Sequence, residues 1–449
     1  MEHCPVNSQP AVTWRTHYAL GMLALIYIFN YIDRLLVSIL VEPIKLEFGV
    51  SDTMIGMLSG VAFAIFYTAF GLPLGRLSDR IGRKPVIAAA CVAWSVMTML
   101  CGIATSFTML LLFRIGVAIG EAGGSAPSLA MVSQLYPARL RSRALSIFLM
   151  GPAIGSVAGL GLGGWIAEVY GWRWAFIIIG APGVALGIIL AITVTEPKEK
   201  IAKVVKSAAA APPIVKFSET LKQLLKTPAF GLIVTAASIA TASGFAVGTW
   251  TPSFLMRSHA LNIQEAGLLM GVAGGLVAAL GTLCCGVVTD RLALRNSGWQ
   301  LGTALIGTAI SIPFGLLFYL WPSGTAFYIG SLTVPTAFLF YLGFAFFGVW
   351  WTVPCFGSLS YLFPTRHLAQ ATALLFMGTT LLGVGVGPLL VGMLSDLLNA
   401  TIGTNALGYA LAICIALLSL TCLCLALAIP RYRQQVTHNP IQNYAANPA

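Results

Sequence analysis

Gly75-Arg76-Leu77-Ser78-Asp79-Arg80-Ile81-Gly82-Arg83-Lys84 follows a long apolar run, and a shorter version, Gly286-x3-Asp290-Arg291, follows another in the second half of the chain. The recurrence continues in the next loops. Pro137-x-Arg139 returns as Pro364-x-Arg366, Ala144 as Ala371 and Met150-Gly151 as Met377-Gly378, all at one offset of 227 residues. Single matches are cheap by chance, whereas a run at constant offset in equivalent loops is not. The chain therefore reads as a duplication.

Outward from these loops lie apolar runs of the length, about 20 residues, that a membrane helix needs. Twelve are found, at 17–41, 53–75, 86–106, 108–135, 144–168, 174–195, 228–252, 265–289, 300–321, 327–362, 369–397 and 405–429; they are called spans 1 to 12. The tenth is too long for one helix, so its start takes in a loop. Composition agrees: of 449 residues 58% are hydrophobic and 9% charged, with a mean hydropathy of +0.88. Soluble proteins carry roughly 25% charged residues, so an ordinary soluble enzyme is excluded. The expected class is an all-α membrane protein of two six-helix repeats. Its divisions are a bundle at 1–196, a lysine-bearing linker at 197–227, a second bundle at 228–433 and a tail at 434–449. Residues 1–16 are polar and the first apolar run is too long for a cleavable signal.

Basic residues in loops set orientation. Twenty of the 25 Lys and Arg fall in the termini and on the loops sharing their side, and only Lys45, Arg173 and Arg257 in the opposite loops. Both termini are thus expected in the cytoplasm, and the net charge of +11 marks topology rather than nucleic-acid binding. Short loops and compact tails point to a bacterial plasma membrane and to a monomer. Of nine cysteines, eight lie in apolar runs without metal-ligand spacing, which suits packing rather than a metal site or disulfides.

Span 5 carries Gly151, Gly155, Gly159 and Gly163, and span 8 Gly267, Gly271 and Gly275, each four apart. Small-xxx-small stripes let helices approach closely, so spans 5 and 8 are expected to pack half against half. Gly159-x-Gly161-x-x-Gly164 fits a dinucleotide fingerprint only formally, having no strand before it.

The stretch from Gly75 to Lys84 resembles the signature loop of the major facilitator superfamily. Arg114–Gly120 and Gly151-Pro152-x-x-Gly155 resemble two further motifs of that family. Asn30-Tyr31-Ile32-Asp33-Arg34, Ser51-Asp52-Thr53-x-x-Gly56, Gly120-Glu121-Ala122-Gly123-Gly124-Ser125 and Tyr170-Gly171-Trp172-Arg173 are together similar to its spinster branch. The resemblance implies the major facilitator fold and proton-linked transport, by an antiporter, of lysolipid- or sphingolipid-like amphiphiles. The Asn-Tyr-x-Asp-Arg element is also similar to proton symporters of small organic anions, and that alternative stays open. By the same resemblance, Gly75, Asp79, Arg80, Arg83, Asp290 and Arg291 form a latch on the inner side, and spans 1, 4, 7 and 10 line a central cavity.

Of fourteen acidic residues only Asp33 and Glu121 lie well inside spans, beside two intramembrane cations, Arg34 and Arg114. A charge at helix centre costs roughly 2.5–3.5 kcal/mol on insertion scales, so these four need partners and a function. At 1.5 Å per residue, Asp33 is about 24 Å from the inner face and Arg114 about 9–10 Å from the outer one, similar heights, with Glu121 near the midplane. This counting leaves no second cation at the depth of Glu121. Asp33 and Glu121 are expected to carry the coupling proton, Arg114 to be a switchable counter-ion, and Arg34 to share Asp33 or meet an anionic head group. The cavity is expected to include Tyr27, Asn30, Ser238, Thr241, Phe245, Tyr341, Trp350 and Thr352.

An enzyme would need a nucleophile with its base, or a metal cluster, within the spans. All five histidines fall in tails or loops, and no phosphate loop exists. The expected protein is a transporter without cofactor or metal, partnered by the bilayer, a small amphipathic or anionic substrate and a proton.

Overall fold

A computed structural model describes residues 12–196 and 227–437; the linker calls, apart from Thr227, and the tail beyond Thr437 lie outside those residues. Eleven stretches are long and apolar enough to cross a membrane, and the last, Gln370–Thr437, runs 68 residues. It contains two crossings, because the chain turns at Gly403–Asn405, where Gly403 takes a φ of +64°. Twelve membrane helices result.

The helices overrun the apolar windows and stop for local reasons. Span 2 continues through most of the signature loop, from Asp52 to Ile81, and ends at Gly82. A φ of +103° there is open to glycine and strained for other residues. Glu196, after span 6, accepts from the next two amides, Arg83 N at 3.0 Å and Lys84 N at 3.1 Å, and so caps span 3. Ser51, Ser106 and Asn262 cap spans 2, 4 and 8 in the usual way, Asn262 with Glu265 in a reciprocal capping box. The repeated Pro137 and Pro364 share one backbone conformation, φ −63° with ψ 157° and 156°, each at the N-cap of a helix.

Two departures from regular α-helix stand out. Spans 2, 8 and 11 each contain a π turn, at Met57–Val61, Val272–Val277 and Thr379–Gly385. The expected loop at the start of span 10 is a β-hairpin, Ala326–Ile329 (β1) with Leu332–Pro335 (β2), and the helix begins at Phe338.

The chain forms two compact units that do not follow the repeat boundary. The first holds residues 12–34, 69–155 and 173–196, with a core built around Leu23, Trp94, Val132 and Phe148. The second holds 35–68, 156–172 and 227–437, with Phe230, Ile233, Leu301, Leu359 and Tyr432 in its core. Within the second unit, segments of the first repeat thus pack on helices of the second.

Candidate functional site

In the first unit the membrane-embedded charges are buried. Asp33 and Arg114 are 2% exposed and Glu121 0%. Arg34 donates from Nε (3.0 Å) and Nη2 (2.5 Å) to Glu121 Oε2, and its guanidinium lies 5.4 Å from the centre of the Tyr31 ring. This corrects the expectation that Glu121 lacks a cation. Arg34 reaches across because a guanidinium on a long stem bridges a step in height. Asp33 Oδ2 accepts from Thr98 Oγ1 at 3.2 Å, a partner the sequence reading missed. Arg114 and Glu121 both act on Asp33 electrostatically.

Asn30 Oδ1 and Nδ2, Asp33 Oδ1 and Glu121 Oε1 are buried and meet no hydrogen-bond partner among the described residues. Buried polar groups are normally satisfied. A row of unsatisfied ones around two carboxylates is chemically ready for protons or for a polar substrate group.

The backbone places Glu121 at a break. Span 4 runs as a helix from Phe107 to Ala122, turns at Gly123–Gly124 and resumes at Ser125. A Cβ at Gly120 would lie 2.7 Å from the Trp94 backbone nitrogen, and one at Gly124 2.8 Å from the Trp94 ring. The glycines of Gly-Glu-Ala-Gly-Gly-Ser thus admit the large Trp94 of span 3 and hold the interrupted segment in place.

The second unit contains a charge cluster that sequence reasoning left as loop charges. Arg257, near the end of span 7, donates to Glu42 Oε1 (2.8 Å from Nε) and to both Asp52 oxygens (2.8 and 2.9 Å). Asp52 also receives Lys45 Nζ at 2.5 Å and Ser395 Oγ at 2.7 Å. Asp396 accepts from Asp52 N, Thr53 N and Thr53 Oγ1 at 3.0, 2.8 and 2.6 Å, which caps span 2 a second time. First-repeat residues Glu42, Lys45 and Asp52 are thereby joined to spans 7 and 11. The available signal was that Lys45 and Arg257 are two of only three bases on their side, set among six acids there, Glu42, Glu47, Asp52, Glu168, Glu265 and Asp396.

The expected cavity residues divide. Ser238 is buried, its Oγ has no partner among the described residues, and it lines an apolar cavity of about 300 Å³ with Val234, Ala242, Leu382, Val386 and Cys414. Thr241 donates to the Ala237 carbonyl, and Phe245 and Thr352 are half-buried. Tyr27 stacks on Phe148 at 4.4 Å and belongs to the packing of the first unit. Tyr341 is buried among Phe318, Phe338 and Phe344, and Trp350 against Phe346 and Phe347. All three thus rest against aromatic neighbours. Span 10 is not helical through Gly348–Trp351, so counting 100° per residue cannot orient Trp350.

Of the expected latch, Asp79 is exposed and meets Arg83 at 3.4 Å, Arg80, Asp290 and Arg291 are exposed, and Gly75 is half-buried. The glycine stripes are corrected in part. Gly151 and Gly155 pack on Tyr27 and Tyr31 of span 1, not across the halves. Spans 5 and 8 do meet: a Cβ would lie 3.1 Å from the Val157 carbonyl if placed at Gly271, and 2.7 Å from the Ile263 carbonyl if placed at Gly164, while Gly267 lies tightly against Leu160. Gly275 is buried in the π turn of span 8, and Gly159 lies in the helical part of span 5.

The family model "Major Facilitator Superfamily" matches residues 23–381. A "MFS-type efflux pump" of Mycolicibacterium smegmatis is 35% identical over 94% of this chain and 94% of its own length. "Sphingosine-1-phosphate transporter SPNS2" of Danio rerio is 26% identical, covering 88% of this chain and 80% of the relative. Among solved structures, a bacterial homolog of the human lysosomal transporter spinster, inward-facing and unoccupied, superposes with a TM-score of 0.77 at 27% identity over 95% of this chain and 98% of that one. The chain belongs to the major facilitator superfamily and is a spinster-like transport protein rather than an enzyme.

Proposed function

We propose that the protein is a proton-coupled exporter of lysolipid- or sphingolipid-like amphiphiles that works by alternating access from a bacterial plasma membrane with both termini in the cytoplasm. The observation that carries the reading is the Arg34–Glu121 pair: a carboxylate with 0% exposure, held on one oxygen by a guanidinium, with Asp33 and its unpartnered Oδ1 close by. Opposite charge keeps a buried carboxylate ionised, and burial without that charge favours its protonated form. If Arg34 leaves Glu121 as the repeats rock, Glu121 takes up a proton; when Arg34 returns, the proton is released. Arg114 plays the corresponding counter-ion to Asp33. Arg34 and Arg114 also offer a charged site for a polar head group. The relative named as a sphingosine-1-phosphate transporter supports this class of cargo. Twenty bases on the side of the termini support the orientation. In this reading Asp79, Arg80 and Arg83, with Asp290 and Arg291, latch the cytoplasmic side.

The test is transport by purified protein in liposomes under an imposed pH gradient. Glu121→Gln and Asp33→Asn are expected to abolish gradient-driven flux while leaving substrate binding by thermal shift in place. Flux that survives both changes would overturn the coupling role. A stabilising shift with small organic anions but none with lysolipids would overturn the cargo.

A further inference from the structure

We infer that the β-hairpin between spans 9 and 10 is an interfacial lipid anchor that lies at the headgroup–acyl boundary of the leaflet away from the termini. Span 9 ends at Leu320 and span 10 starts at Phe338, so the intervening segment is held at a membrane surface by both its ends. Residues 321–337 contain no charged side chain. Gly330, with φ +62°, makes the first turn position between Ile329 and Leu332, the requirement of a two-residue hairpin turn.

The two strands have different surroundings. β2 covers the protein: Val334 is buried and Thr333 N donates to Glu265 Oε1 at 3.1 Å. β1 is exposed along its whole length, on both faces, with Tyr328 at 73% and Ile329 at 63%. Strands that face water at a sheet edge are guarded by shortness, charge, proline or a bulge, and of these the four-residue β1 has shortness alone. Ala326-Phe327-Tyr328-Ile329 has no charge, no proline and no bulge. In water it would be a template for aggregation. It cannot lie in hydrocarbon either, because the outward backbone groups of β1 would go unsatisfied there.

The headgroup region meets both demands. It supplies water and polar lipid groups for the backbone edge and apolar surroundings for Phe327 and Ile329, and it is where amphipathic aromatic rings such as Tyr328 accumulate. Trp321, tilted at 46° against Phe340 with ring centres 5.0 Å apart, continues the same belt onto span 10. This inference depends on neither the cargo nor the orientation proposed above.

The test places nitroxide labels at Tyr328→Cys and Ile329→Cys, on opposite faces of β1. The background chain has Cys4, Cys284, Cys422 and Cys424 replaced by serine and sits in liposomes of phosphatidylcholine and phosphatidylglycerol. Both labelled chains are checked for monodispersity and for the parent's helix content. At both positions, relaxation by oxygen, which concentrates in lipid, is expected to exceed that by a water-soluble nickel chelate several-fold. A nickel effect equal to or larger than that of oxygen would make the hairpin a water-facing loop and overturn the inference. Dipolar broadening that disappears on dilution with unlabelled chain would show a second copy paired along β1, and would overturn it too.

Discussion

Glu121 shows what a single residue demands of its surroundings. A carboxylate at 0% exposure is held by Arg34, and removing one partner of a buried pair costs about 3–5 kcal/mol because the other charge is stranded. Arg34→Ala should therefore lower the apparent melting temperature in detergent clearly, and Glu121→Gln in the same chain should recover much of the loss. If the double variant melts no higher than Arg34→Ala, the pair is not what stabilises the site. Asp33 and Glu121 were legible in the sequence because intramembrane charge is rare and costly. Their pairing was not, because it depends on side-chain reach, which heights counted along an axis do not contain. Thr98 was illegible for a different reason: one hydroxyl in an apolar helix carries no pattern.

At the scale of elements, spans follow from apolar length, while their interiors follow from contact. Gly120 is tight against the Trp94 backbone at 2.7 Å from a built Cβ, and no flexible side-chain end is there to yield. Gly120→Ala should cost about 1–3 kcal/mol, the range for overpacking, and should shift the break that presents Glu121. Thermal unfolding together with gradient-driven flux checks both effects. An unchanged melting temperature would mean that span 3 can retreat. The small-xxx-small arithmetic succeeded in bringing spans 5 and 8 together and failed for Gly151 and Gly155, since spacing says that a face is smooth but not which neighbour it meets. Trp350 and Tyr341 rest against aromatics of spans 9 and 10, neighbours that spacing alone does not name. Aromatics in a cavity-lining span fill the core as readily as they line a void, and the non-helical Gly348–Trp351 turn was invisible to hydropathy.

For the whole molecule, the cluster around Asp52 and Arg257 ties first-repeat residues to spans 7 and 11 at the end away from the termini. In the alternating-access cycle proposed above, those bonds break when that end opens. Arg257→Glu should weaken the closed arrangement, and pairing it with Asp52→Arg should restore part of it. A tenfold change in the open-to-closed ratio corresponds to about 1.4 kcal/mol, well within what a partly buried charge network holds. The readout is the labelling rate of a cysteine at Ser395: faster in Arg257→Glu, and slower again in the charge-swapped chain. Equal rates in all three chains would show that the cluster does not gate. Increased salt should act on the exposed Asp79–Arg83 pair far more than on this cluster, because buried pairs are screened less.

The three π turns have a consequence for reading this chain beside its relatives. A turn closed by an i→i+5 bond takes one residue more than an α turn over nearly the same length of axis. The stripe Gly267, Gly271, Gly275 is thus in phase only up to Val272, where the π turn of span 8 begins. Any relative whose helices run unbroken through the counterparts of Met57–Val61, Val272–Val277 or Thr379–Gly385 is one residue shorter there. The correct pairing of the two chains then carries a single-residue gap inside a membrane helix, where a gap would ordinarily be refused. Aligned without it, every residue beyond would be compared with a neighbour that points in another direction.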